Sequence, residues 1–248
     1  MVEEEGFGAV LKGLAARRHL DLVALPSIPE SELQAVFHGG ASSPSLLRRL
    51  APVLGLHAAD LFAIAGVGVP EDLAPVDATA GGSVPYLVRE VVRLPPEKRP
   101  VLRQFVASLP EEERTHPVPK PPVREQYLAG PGALLMRMAR NRNLGWTATA
   151  KTFLAVTGRY WSAATYGGVG HGRTQLTPEL LADFSAVLDV PADDLAALTG
   201  VALPGAASVP KPAVAGVAEL IWDVRRLTAT QLRQVSDRAK SMAIGTPE

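Results

Sequence analysis

Apolar side chains recur at helical spacing along most of the chain, and no stretch alternates apolar and polar residues as a β-strand does. Leu46, Leu47 and Leu50, for example, fall on one face of a helix. Prolines cluster where such stripes begin, which is the part of a helix that tolerates them. Near the end of the chain, Thr228 and Gln231 have the spacing of a capping box at a helix start. The pattern predicts an all-α protein.

The same pattern occurs twice along the chain. Residues 6–20 align without gaps on residues 130–144, with 7 identities in 15 positions. Residues 44–70 align on residues 178–204, with 12 identities in 27 positions. Similar segments in the same order are typical of tandem repeats, so we expect two homologous domains.

Each copy is followed by a third, more divergent block with helical spacing, at residues 88–109 and 221–242. This block predicts a pair of C-terminal helices behind each domain. Residues 110–126 are rich in proline and charge, which favours an extended linker. We therefore expect a first domain over residues 1–109, the linker over 110–126 and a second domain over 127–244.

The ends of the two copies resemble a known family. Residues 177–200, TPELLADFSAVLDVPADDLAALTG, and residues 43–66, SPSLLRRLAPVLGLHAADLFAIAG, share a Ser/Thr-Pro start, the same apolar spacing and a final glycine. This ending resembles that of the phage-repressor (Cro-like, XRE) helix-turn-helix domain, and the tandem arrangement resembles proteins of actinobacterial type. The resemblance implies two tandem repressor-like helix-turn-helix domains, each followed by its C-terminal helical pair.

The resemblance also implies where DNA would be read. In that family the recognition helix lies in the major groove of the duplex. It falls on Ser162–Arg173 in the second copy and on Pro29–Gly39 in the first. The chain is therefore expected to be a sequence-specific DNA-binding transcriptional regulator.

Charge assigns this role to the second copy. The whole chain is neutral, with 25 basic and 25 acidic residues. Residues 130–178 nevertheless contain six basic residues and no acidic one, whereas residues 179–200 contain five acidic residues and no basic one. Because cations that displace the counterions of DNA give salt-dependent binding, we expect the basic segment to face the duplex.

The first copy has the opposite charge. Residues 1–44 contain three basic and six acidic residues, and Glu30 and Glu32 lie where a duplex would approach. Two carboxylates without compensating arginines are repelled by the phosphate backbone. We therefore interpret this copy as a degenerate domain that is kept for packing or for contact with a protein partner.

Candidate DNA contacts follow from position within the second copy. For the two arginines at the end of its first helix, the alternative role is that of a favourable charge at a helix C-terminus. The candidates for backbone phosphates are Arg140, Arg142, Lys151, Arg159 and Tyr160. The candidates for base edges or the groove wall are Ser162, Thr165, Tyr166, His171 and Arg173.

A nucleotide site is the competing interpretation of one stretch. Gly167, Gly172, Arg173 and Thr174 nearly match the P-loop pattern G-x-x-x-x-G-K-[ST]. A P-loop needs a buried strand before it, and the chain predicts helices throughout; arginine also replaces the compact lysine cation poorly. We therefore assign this stretch to the recognition helix. Glycine costs about 1 kcal/mol relative to alanine within a helix, so we expect the helix to be short or irregular before DNA binds.

No residue pattern nominates an enzyme. The chain has no cysteine, its five histidines are scattered, and no nucleophile–base arrangement has a known motif spacing. We expect no catalytic activity, no cofactor and no metal. The acidic start and the short apolar runs predict a cytoplasmic, nucleoid-associated protein without membrane spans.

The expected partners are double-stranded DNA, a second copy of the chain bound through the C-terminal helices, and a protein bound by the first domain. The alternative function is a non-enzymatic protein-interaction module built from degenerate helix-turn-helix domains. The neutral net charge, the acidic first copy and the glycine-rich recognition helix favour this alternative.

Overall fold

The computed structural model describes residues 2–26, 28–114, 117–203 and 214–244. Thirteen α-helices and several short 3₁₀ turns form over these ranges, and no β-strand occurs within them. The prediction of an all-α fold is confirmed. Two residues of the predicted linker lie outside the described ranges.

The first copy contributes six helices. The described residues between its first two helices form turns, since Pro26 and Pro29 interrupt that segment. Ser43 begins the third helix, where its side chain accepts a hydrogen bond from the Leu46 backbone N–H at 3.1 Å. The six helices are α1 (Val2–Arg17), α2 (Glu30–Phe37), α3 (Pro44–Val53), α4 (Ala58–Ile64), α5 (Val84–Arg93) and α6 (Arg99–Ser108).

The second copy contributes seven helices, because it contains one that the first copy lacks. The repeat alignment pairs α1 with α7, α2 with α9, α3 with α10 and α4 with α11, which leaves α8 without a counterpart. The seven helices are α7 (Pro131–Asn141), α8 (Trp146–Thr157), α9 (Ala163–Gly170), α10 (Pro178–Leu188), α11 (Ala192–Thr199), α12 (Val217–Asp223) and α13 (Ala229–Ile244).

The two copies pack on each other in a reciprocal way. Helix α4 of the first copy contacts α7 of the second, and the equivalent helix α11 contacts α1. The C-terminal helical pairs, α5 with α6 and α12 with α13, are called the trailing helices below. They repeat the relationship, since α5 contacts α13 and α6 contacts α12. Reciprocal contacts of this kind define an isologous interface, so an approximate two-fold axis relates the copies within one chain.

The buried apolar side chains of both copies form one continuous core. The trailing helices α12 and α13 contribute Val217, Leu220, Ile221, Leu232 and Val235, all of which are buried. These are the helices that the sequence assigned to a homodimer contact. Their apolar faces are instead covered by α5 and α6 of the same chain. A homodimer through the C-terminal helices stays a prediction, and it would have to use their exposed faces.

The linker lies against the protein at both of its ends. Arg114 donates hydrogen bonds to backbone oxygens between Glu71 and Val76, and Gln231 Nε2 donates to the Pro110 carbonyl at 2.7 Å. The later part forms a 3₁₀ turn, Val123–Glu125, that contacts α9. The linker therefore helps to shape the surface around the second copy.

Candidate nucleic-acid interface

Helices α8 and α9 are joined by a five-residue turn with defined ends. Gly158 ends α8 in the left-handed conformation, with φ of 74°, which glycine adopts without strain. Ser162 begins α9, and its side chain accepts a hydrogen bond from the Thr165 backbone N–H at 3.1 Å. The Thr165 hydroxyl lies 2.9 Å from the Ser162 hydroxyl. Two predicted contact residues therefore form the cap of α9.

The turn between these helices is held by a buried carboxylate. Asp183 of α10 has no exposed surface and accepts hydrogen bonds from Arg159 Nε at 2.8 Å and from Trp161 Nε1 at 2.8 Å. About half of the Arg159 side chain remains exposed, and Tyr160 between the two anchors is exposed. Arg159 is thus fixed in place while part of its guanidinium stays accessible.

Only the first turn of α9 reaches the surface. Ala164 is exposed and Ser162 and Thr165 are half-buried, whereas Tyr166–Gly170 is buried. The buried part contacts its neighbours too closely for larger residues. A Cβ on Gly167 would lie 2.5 Å from the Trp146 ring, and one on Gly170 would collide with the Tyr127 ring.

Tyr166 does not face outward. Its ring is fully buried and packs edge-to-face against Phe153 and Phe184, with centroids 5.0 and 6.0 Å away. Burial raises the pKa of its hydroxyl well above the ordinary value, and that hydroxyl has no partner among the described residues. The prediction that Tyr166 contacts DNA is corrected, because no part of its ring is accessible.

Arg142 is also buried, and it joins the two copies. Its guanidinium donates to both carboxylate oxygens of Asp60, at 3.1 and 2.9 Å, and to the backbone oxygens of Met138 and Leu188. Neither Arg142 nor Asp60 has exposed side-chain surface. The prediction that Arg142 contacts a phosphate is corrected. Its partner lies 82 residues earlier in the chain, which local sequence does not reveal.

The end of α9 is covered by the linker. His171 Nε2 lies 2.9 Å from the Arg124 backbone oxygen, and the His171 ring packs edge-on against Tyr127 and Trp146. Arg173, two residues later, is exposed and forms no ion pair with the described residues. His171 therefore holds the linker, and Arg173 remains accessible.

Most basic residues of residues 130–178, the segment without acidic residues, have partners within the protein. Arg137 donates to the Tyr127 backbone oxygen at 3.1 Å, and Arg140 donates to Glu125 Oε2 at 2.8 Å. Lys151 is exposed on α8, with Nζ 5.4 Å from the centroid of the Tyr86 ring. The accessible positive charge of this segment is consequently smaller than its composition indicates.

A cavity of about 480 Å³ at the start of α8 is lined by cations that the sequence pattern did not indicate. Lys120 and Arg124 of the linker line it beside Arg140, and Glu125 is the one acidic residue among its described lining residues. The Glu125 carboxylate lies against Gly145, the residue before α8. Helix N-termini and cations both attract anions, so this end of α8 is electropositive apart from Glu125. A proline-rich linker carries no sequence signal for such a role.

No described helix is long and apolar enough to cross a membrane. No family model, curated protein or solved structure matches the chain. Its function is therefore inferred from the arrangement of its own residues.

Proposed function

We propose that this protein binds double-stranded DNA through its second copy and acts as a transcriptional regulator associated with the nucleoid. The observation that carries the proposal is the accessible first turn of α9, with the exposed cations Lys151 and Arg159 before it in the chain and Arg173 after it. No acidic residue occurs between residues 130 and 178, so nothing in that segment repels a phosphate backbone.

In this proposal the cations position the duplex. Lys151, Arg159 and Arg173 would contact phosphates, and the exposed Tyr160 hydroxyl would donate to another phosphate oxygen. Arg140 would contribute from the cavity at the start of α8, where it is now paired with Glu125. Contacts of this kind fix the register of the protein on DNA and carry little sequence information.

Base reading would come from the small residues at the start of α9. Ser162 and Thr165 carry hydroxyls that suit either a donor or an acceptor on a base, and the methyl groups of Ala163 and Ala164 suit thymine. No arginine, asparagine or glutamine stands on this turn. We therefore expect the sequence preference to be modest, with most of the affinity coming from the backbone.

The test is a fluorescence-anisotropy titration of a labelled random-sequence duplex over a series of salt concentrations. Replacing Lys151 and Arg173 together by alanine should lower the steepness of log affinity against log salt by about 1.8, because each phosphate that the protein neutralises accounts for about 0.9. The matched control is Lys12→Ala with Arg48→Ala, which removes two charges from the first copy. Absence of binding by the wild type even at low salt would refute the proposal.

A protein-interaction module is the second candidate. The observation that favours it is the covering of the end of α9 by the linker, which leaves little of that helix accessible to DNA. The first copy of the chain also lacks a counterpart of α8, and its Glu32 is paired with Arg49 at 3.1 Å. This candidate predicts that the titration shows no salt-dependent DNA binding. It also predicts that the first copy retains a protein partner.

A further inference from the structure

Helices α5 and α8 come from different copies and lie side by side, starting at the same end. Gly81, just before α5, contacts Asn143, just before α8. One turn into each helix, the Tyr86 ring lies beneath the Lys151 ammonium group. Because both contacts lie near the starts of the two helices, these ends are neighbours, and the exposed faces of α5 and α8 adjoin at Tyr86 and Lys151.

The exposed face of α5 is basic and aromatic. Tyr86, Arg89 and Arg93 project from it at spacings of three and four residues, which places them on one side of the helix. The opposite side of the helix, with Leu87 and Val91, is fully buried. The two arginines face outward because they lie on the side of the helix opposite these buried residues.

The acidic group on α5 offsets only part of the charge of this face, because one carboxylate faces two arginines. Glu90 lies 3.6 Å from Arg89 and 3.7 Å from Arg93, but its side chain is only 18% exposed, against 58% and 64% for the arginines. Exposed ion pairs within one helix are worth about 0.3–0.5 kcal/mol, so they hold the guanidinium groups weakly. Both arginines can turn toward an external anion at little cost.

This surface is continuous with the cavity at the start of α8. Thr147 and Gly82 both line that cavity, one turn before Lys151 on α8 and one turn before Tyr86 on α5. The cations of the linker, of α8 and of α5 therefore follow one another along the same side of the molecule.

We propose that Arg89 and Arg93 of α5 contact the phosphates of the same duplex that α8 and α9 bind, so that the DNA footprint is built from both copies. The inference rests on the proposed function. The two arginines are four residues apart, or about 6 Å along the helix axis. B-DNA carries one phosphate per about 3.4 Å of axis on each strand, so neighbouring phosphates fall within their reach. The α5 face thus supplies charge that the internally paired arginines of the second copy do not.

The experiment compares a variant that carries both Arg89→Ala and Arg93→Ala with wild type in the anisotropy titration. We expect the slope of log affinity against log salt to become shallower by about 1.8, since the variant neutralises two fewer phosphates. The doubly substituted Arg89→Lys, Arg93→Lys protein should keep the wild-type slope, because the point charges remain. Thermal unfolding of each variant should stay close to that of wild type, because both side chains are exposed and their ion pairs with Glu90 are weak.

The outcomes separate this inference from the proposed function. In one outcome wild type binds, the Lys151, Arg173 variant has a shallower slope, and the Arg89, Arg93 variant keeps the wild-type slope. This result overturns the α5 contact and leaves the proposed function standing. If the Lys12, Arg48 control reduces the slope as much as the α5 variant does, a general charge effect replaces the contact. If wild type does not bind at all, the proposed function fails and the α5 contact fails with it.

Discussion

Arg142 of the second copy and Asp60 of the first form an ion pair with no exposed surface at the junction of α7 and α4. The repeat places Arg18 at the position of Arg142 and Asp194 at that of Asp60, and these residues also pair across the copies, at 2.7 Å. The two ion pairs exchange places about the approximate two-fold axis. The copies therefore meet as the protomers of a symmetric dimer do.

Replacing Asp60 by asparagine should destabilise the protein strongly. The change leaves the Arg142 charge buried without a counter-ion, which costs about 3–5 kcal/mol in the free energy of unfolding. The equivalent change Asp194→Asn should cost less, because Arg18 is 20% exposed and water can solvate its charge. Urea unfolding followed by tryptophan fluorescence measures both values. Equal destabilisation of the two variants would contradict the assignment of the cost to burial.

The glycines of α9 should be required for packing. Gly167→Ala places a methyl group against the Trp146 ring, and such overpacking costs about 1–3 kcal/mol of stability. Gly13 in α1 is the matched control, since nothing lies within 4 Å of a Cβ built there. Gly13→Ala should stabilise the protein by about 1 kcal/mol through helix propensity. Chemical denaturation of both variants tests this, and stabilisation by Gly167→Ala would show that the packing yields.

Sequence periodicity was sufficient for the helices because a helix depends on neighbours within one turn. Leu46, Leu47 and Leu50 are all buried on one face as predicted. The predicted capping box is confirmed too: the Thr228 backbone N–H donates to Gln231 Oε1 at 3.0 Å, and the Gln231 N–H donates to Thr228 Oγ1 at 3.3 Å.

The candidate site was less predictable because its key contacts join distant segments. Charge counting treated the basic residues of the second copy as one exposed surface. Arg142, however, is buried and paired with the Asp60 carboxylate of the first copy. The glycines of α9 suggested a weak helix, yet the Trp146 ring packs against Gly167 and the Tyr127 ring against Gly170, which leaves no room for larger residues there. Such tertiary contacts leave no periodic signal in the local sequence.

Acidification should destabilise the protein through His57. Its ring stacks on Trp222 at a centroid distance of 3.6 Å, and burial, aided by the Arg142 charge, lowers the pKa of His57 from 6.5 to about 4. The folded state thus binds fewer protons than the unfolded state between these values. The stabilising contribution is fully present above pH 6.5 and is lost as the pH falls toward 4, by roughly 1–2 kcal/mol at pH 5.

The control for this titration is His57→Phe, which retains an aromatic ring for Trp222 and removes the proton site. The free energy of unfolding of the variant should fall less than that of wild type between neutral pH and pH 5. Urea denaturation at a series of pH values provides the comparison. An identical pH dependence in the two proteins would show that other groups account for it.

Neutralising Glu125 should strengthen DNA binding if the cavity at the start of α8 receives a phosphate. Glu125→Gln keeps the size of the side chain and removes the negative charge that faces Arg140 and Gly145. Removal of one repulsive charge near the surface is worth about 0.5–1 kcal/mol, so affinity should rise about two- to five-fold at low salt.

The matched control for this change is Glu112→Gln, which removes an exposed charge from the start of the same linker. Anisotropy titrations should show a larger gain for Glu125→Gln than for Glu112→Gln, and the difference should shrink as salt is added, because screening weakens both effects. Equal gains would mean that net charge alone controls affinity. Weaker binding by Glu125→Gln would mean that the carboxylate orients Arg140 for the duplex rather than competing with it.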